Sequence, residues 1–132
     1  MKLILSLCFL SASILSGQVL AHHSFAMFDQ TKHVSLEGVV HEFQWTNPHA
    51  WIEINVPTEE GKSERWAVEL NSPNNLKRQG WKRKSLKHGD KVTIIINPLR
   101  NGKHGGLFNQ VTLPDGSKLG HISKGPINVP GK

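Results

Sequence analysis

Ser72-Pro73-Asn74-Asn75-Leu76-Lys77-Arg78-Gln79-Gly80 is the stretch that decides the fold, because it alone carries helix punctuation at both ends. Ser72 is a capping residue, Pro73 suits the first helical position and Gly80 stops the run after Gln79, so a two-turn helix is predicted here. On both sides of it the apolar period is two. Upstream, Trp66, Val68 and Leu70 alternate with Arg65, Ala67 and Glu69, and before the turn at Pro57 to Lys62, Ala50, Ile52, Ile54 and Val56 alternate with His49, Trp51, Glu53 and Asn55. Earlier still, Val34, Leu36, Gly38 and Val40 alternate with Ser35, Glu37 and His41 in a run ending at Phe43. Downstream, Val92, Ile94 and Ile96 mark a fourth strand, Pro98 to Gly106 a Gly-rich turn, and Leu107 to Leu113 a fifth strand. A short sixth strand is expected after the Pro114-Asp115-Gly116 turn.

Three strands, a helix and then two or three strands within about 80 residues predict an all-β fold, a small five- to six-stranded Greek-key barrel of OB-like type. The short helix between strands 3 and 4 would plug one end. A small β-sandwich is the competing architecture. The chain of 132 residues has room for one small domain, and its 37% apolar content with 12 Gly and 7 Pro is that of a turn-rich globular unit.

Lys2, the apolar run Leu3 to Leu15 and Val19-Leu20-Ala21 have the charged, apolar and small-residue regions of a signal peptide, so residues 1–21 are read as removed on export. The apolar run is too short for a membrane-spanning helix, and the mature protein is expected to be periplasmic or secreted without a transmembrane segment. Residues 22–124 form the domain, and residues 125–132 are read as a flexible tail. The single Cys, Cys8, lies in the removed segment, which excludes thiol chemistry and disulfides from the mature chain. That chain carries 15 basic and 10 acidic residues, and export argues against nucleic acid as its partner.

Cleavage after Ala21 makes His22 the N-terminus, where an α-amine and an imidazole can chelate one metal ion together. Two such nitrogens suit Cu(II), with zinc or nickel as weaker candidates. His49 is the first candidate for a third nitrogen and completes a histidine brace, with His23 as a local alternative. Ser24 occupies the position where a purely local amino-terminal copper motif would need His. His33, His41, His88, His104 and His121 are scattered through turns and strand surfaces, and most of them read as ordinary exposed histidines. A second candidate surface combines Trp45, Trp51 and Glu53 with Trp81, which sits among Lys77, Arg78, Lys82, Arg83, Lys84 and Lys87. Such a surface suits a glycan, a peptide, an anionic surface or a periplasmic protein partner. No carboxylate pair stands out by spacing and no Gly-x-Ser-x-Gly elbow occurs, so a non-enzymatic binding protein for a metal ion or small ligand is expected. A redox enzyme on the same brace would also need an open coordination position and an electron source, and the sequence displays neither.

His22-His23-Ser24-Phe25-Ala26, Leu36-Glu37-Gly38, Phe43-Gln44-Trp45-Thr46-Asn47-Pro48-His49, Ser72-Pro73-Asn74, Gly80-Trp81, Leu86-Lys87-His88-Gly89-Asp90 and Pro98-Leu99-Arg100 together make the chain resemble a family of short exported bacterial proteins. That family is defined as a domain of unknown function. The resemblance implies that His22, His23 and His49 belong to the family pattern, whereas His104 and His121 are individual additions. It implies no activity.

Export-processed protein is expected to begin at His22, since Val19 and Ala21 best fit the small-residue positions before the cut. Its intact mass tests this directly, and any other starting residue removes the α-amine ligand.

Overall fold

A computed structural model describes residues 25–122 and 126–129. A 3-10 turn, Phe25–Met27, leads into β1 (His33–Gln44), followed by β2 (Trp51–Pro57), β3 (Ser63–Glu69), α1 (Pro73–Arg78), β4 (Lys91–Pro98), β5 (Gly105–Thr112), β6 (Lys118–Gly120) and β7 (Ile127–Asn128). β1 pairs with β2, β2 with β3, β3 in parallel with β5, β5 with β4, and β4 back with β1. The ring closes. With α1 between the third and fourth strands, this is the small OB-like barrel that the alternation predicts.

Closure rests on β1, whose 12 residues serve two neighbours in succession. Val34 to Val39 face Ile96 to Lys91 of β4, and Val39 to Gln44 face Asn55 to Trp51 of β2. A bulge between Val40 and Glu42 lies within the second half. An inserted residue bends the strand and reverses which side chains point inward. Before it Leu36 and Val40 are buried, whereas after it Phe43 packs on the core and Trp45 is 8% exposed. Trp45 was expected on an exposed surface, and the bulge is the physical reason it is in the core.

The helix plug is assembled by its caps. Ser72 Oγ accepts from the Asn75 amide at 3.4 Å and Pro73 occupies the first turn. At the other end Gly80, at φ +89°, donates to the Lys77 carbonyl, and Trp81 donates to the Leu76 carbonyl at 3.0 Å. This pair of bonds is a Schellman ending, which folds the residue after Gly back against the last helical turn. Trp81 is therefore 1% exposed, with its ring 5.7 Å from Phe43 and 5.3 Å from Phe108. The expectation of an exposed Trp81 is corrected by this turn. Leu76, Trp81 and Leu86 join Ile52, Ile54, Val68, Ile94, Ile96 and Val111 in one core.

In the described part of the tail, Ile127–Asn128 pairs in parallel with His33–Val34. β2 engages β1 only from Val39 onward, so the start of β1 has an edge available for it. Gly38 lies where β2 begins to engage β1. A Cβ there would run into the Asn55 carbonyl oxygen and lie 2.8 Å from Ile54 Cγ1. Gly38→Ala is expected to destabilise the barrel by ~1–3 kcal/mol through overpacking. Urea unfolding of wild type and variant measures this, and equal midpoints would contradict the close approach.

Candidate functional site

Thr46-Asn47-Pro48 turns the chain between β1 and β2, and Thr46 Oγ1 donates to the His49 carbonyl at 3.1 Å. Beyond the turn the β2–β3 ladder is continued by Ala50, whose amide donates to the Asn71 carbonyl at 3.1 Å, while Leu70 donates to the Ala50 carbonyl at 2.9 Å. This register brings His49 beside Glu69, the last residue of β3. His49 Nδ1 forms a short contact with Glu69 Oε1. Glu69 is 8% exposed, whereas strict alternation on β3 read it as one of the polar side chains opposite the core. A carboxylate oxygen accepts, so Nδ1 is the donor in this contact, and the neutral tautomer that donates from Nδ1 has its lone pair on Nε2. A histidine held by a carboxylate through one nitrogen is oriented to use the other as a metal ligand.

His49 and Glu69 line a cavity of about 270 Å³ that Phe25, Asn109, Gly120 and His121 also border. Asn109 is the extra residue of a bulge on β5, where Ile95 faces Gln110 and Ile96 faces Phe108. Its Nδ2 donates to Asn97 Oδ1 at 2.8 Å, and its carbonyl accepts from the His121 amide at 3.1 Å. His121 is thus brought to the wall shared with His49, although the sequence placed it outside the site. Sequence alternation puts His49 and Glu69 on the polar side of their strands without pairing them, which the β2–β3 register does, and it gives no signal for Asn109 or His121, which depend on the β5 bulge and on the His121 amide bond to the Asn109 carbonyl.

The segment preceding β1 is strapped to the β4–β5 connection. Phe28 is 3% exposed and bridges to Leu99, and the Asp29 backbone amide donates to the Pro98 carbonyl at 2.8 Å. Arg100 donates from its amide to the Met27 carbonyl at 2.9 Å and from Nε to the Ala26 carbonyl at 3.2 Å. Phe25, where the described chain begins, is 52% exposed and lies on the cavity rim. His22 and His23 lie outside the described residues.

The remaining candidates are elsewhere. Neither Trp51 nor Glu53 borders the cavity, and Glu53 is paired with Arg65 Nη1 at 2.8 Å. His33 is buried rather than exposed. His41 and His88 meet edge to face, while His104 stacks on Trp66 at 4.9 Å and reaches Glu64 at 3.3 Å. Among the described residues no three His, Cys, Asp or Glu side chains are gathered closely enough to hold a metal ion.

The model of a family of unknown function (DUF6152) matches residues 11–110. No curated protein matches. Among solved structures, the mitochondrial single-stranded DNA binding protein Rim1 from S. cerevisiae is similar at 11% identity and a TM-score of 0.45, over 65% of this chain and 94% of that one.

The Thr31 hydroxyl donates to Asp29 at 2.6 Å, and with the Thr31 amide, Lys32 and Arg100 it holds that carboxyl below its ordinary value of 3.8 against the opposing effect of partial desolvation. A carboxyl depressed in the folded state stabilises the fold above its unfolded value and stops doing so as pH falls through the folded value. The contribution of this carboxylate is therefore expected to be present above about pH 4 and to be lost in stronger acid. An NMR titration of the Asp29 carboxyl carbon should give a midpoint below 3.8, and a midpoint at or above it would contradict this anchoring.

Proposed function

This chain belongs to the DUF6152 family of unknown function, and from its own residues we propose that it is an exported, non-enzymatic binding protein for a Cu(II)-type metal ion. The observation that carries the reading is the His49–Glu69 pair, set in a cavity whose rim includes Phe25. Only two residues, His23 and Ser24, separate His22 from Phe25. A trans chain spans at most about 3.6 Å per residue, so the His22 Cα is within about 11 Å of the Phe25 Cα. That reach supports a brace in which the terminal amine and the His22 imidazole meet His49 Nε2, with His23 as the alternative local imidazole. Copper heads the divalent affinity order for nitrogen donors, and zinc or nickel would compete less well. Residues 1–21 supply the export signal in this reading, which places the protein in the periplasm or outside the cell.

The rival reading, an aromatic and basic surface for a glycan, a peptide, a protein partner or an anionic surface, loses half its basis because Trp45 and Trp81 are core residues.

A competitive copper titration on protein with its authentic N-terminus tests the proposal. One extra residue before His22 displaces the amine, and His49→Ala removes an imidazole, so each is expected to weaken binding at least ~10-fold. Glu69→Gln keeps the shape but removes the charge that orients His49, and a loss of ~10-fold is expected. His121→Ala should cost less than His49→Ala, because the exposed His121 is in no ion pair with a carboxylate among the described residues, whereas His49 is held by Glu69. Acidification should release the metal as the amine and imidazoles take up protons. Equal affinity of the native and extended termini would overturn the brace.

A further inference from the structure

Six of the chain's 16 Lys and Arg residues fall between Lys77 and Lys87, a stretch without a single Asp or Glu. Lys77, Arg78, Lys82, Arg83, Lys84 and Lys87 are all exposed. None of them is in an ion pair among the described residues, whereas Lys32, Lys62, Arg65 and Arg100 each are. Like charges at this density repel one another and persist only where something holds the backbone. Here Leu76, Trp81 and Leu86 are inserted into the core at 1%, 1% and 3% exposure. Three local bonds fix the turns between them: Lys82 amide to Ser85 Oγ at 2.8 Å, Ser85 amide to the Lys82 carbonyl at 2.9 Å, and Lys87 amide to Asp90 Oδ2 at 2.9 Å. The nearest acidic side chain along the chain, Asp90, is thereby engaged with backbone.

What the segment lacks identifies its partner. Single-stranded nucleic acids are bound through aromatic faces that stack on bases, and the one aromatic here, Trp81, is buried. Specific protein interfaces are anchored by exposed aromatic or apolar side chains. Among the described residues the exposed large apolar side chains are Phe25, Met27, Val39, Ile127 and Val129, none of which is in this segment. What remains is charge presented without shape, which suits a surface of phosphates at high density.

We propose that residues 77–87, held across one end of the barrel by Leu76, Trp81 and Leu86, form a docking surface for the phosphate headgroups of an anionic lipid bilayer. This docking is peripheral and electrostatic, since among the described residues no helix is long and apolar enough to cross a membrane. It is independent of the metal centre.

The test is sedimentation with vesicles of phosphatidylglycerol and phosphatidylcholine, or of phosphatidylcholine alone, using export-processed protein in the presence of a chelator. Binding to the mixed vesicles at 0.1 M salt and its loss at 0.5 M are expected, because the surface potential decays within a Debye length. Each cation near such a surface is worth about fivefold in partitioning, so Arg83→Gln with Lys84→Gln should weaken binding ~30-fold. Lys62→Gln with Lys103→Gln removes the same charge from the β2–β3 and β4–β5 connections and should change little. Equal losses from the two double variants would reduce the effect to net charge and overturn the proposal. So would equal binding to neutral vesicles, no binding to either, or tighter binding to a single-stranded oligonucleotide that the patch variant abolishes. Because metal is absent throughout, neither result bears on the copper reading.

Discussion

β1 must hydrogen-bond along one half to β4 and along the other to β2, and a single strand can do so only by bending between them. Two local features make the bend. At Gly38 the absent side chain lets the Asn55 backbone pass close by, and the bulge between Val40 and Glu42 adds the twist that carries the strand round the corner. Both consequences are global. The five main strands form a closed ring whose pairing leaves little edge to manage, and the inward set switches so that Phe43 and Trp45 reach the same core as Leu36 and Val40. A regular β1 would leave Trp45 in water and the ring open.

The closed ring has one end filled by α1 and Trp81, and the histidine cavity lies at that end, with Leu76 on its wall. Three separate parts of the chain meet there. The β1–β2 turn delivers His49, the end of β3 delivers Glu69, and the strap secured by Phe28, Asp29 and Arg100 leads the start of the described chain to the rim. A site built between such parts depends on the barrel being closed, since no two of them are neighbours in sequence. Its polar groups are also unlike those on the surface. Exposed pairs such as Lys62–Glu60 contribute at most about 1 kcal/mol because water screens both charges. Glu69 is largely withdrawn from water, so losing its histidine partner would leave a desolvated carboxylate without its imidazole contact.

The cations of residues 77–87 show the opposite arrangement, in which charge is displayed by burying its apolar neighbours. Sequence order alone interleaves Trp81 with Lys and Arg, and this resembles an aromatic binding surface. The Schellman turn at Gly80 separates the two, sending the indole inward and leaving the charges outside. A Gly followed by a large apolar residue at a helix end is the signal that distinguishes the cases, because the residue after the Gly commonly packs against the last helical turn.

The sequence by itself determined the strand alternation, the capped helix between the third and fourth strands, and from these the barrel. Those features are local, set by periods of two and by the backbone preferences of Ser, Pro and Gly, and local preferences are legible along a chain. It also singled out His49 by its place after Thr46-Asn47-Pro48. Only the tertiary structure decided that Glu69 would be the partner of His49, that His121 would share its cavity, and that Trp45 and Trp81 would be core residues. Glu69 meets His49 through the β2–β3 register, and for the others a bulge or a helix-ending turn redirects the residues just beyond it while the sequence pattern continues almost unchanged. The pairing of Ile127–Asn128 with the start of β1 has the same origin, since which strand edge stays open is fixed only once the ring has closed.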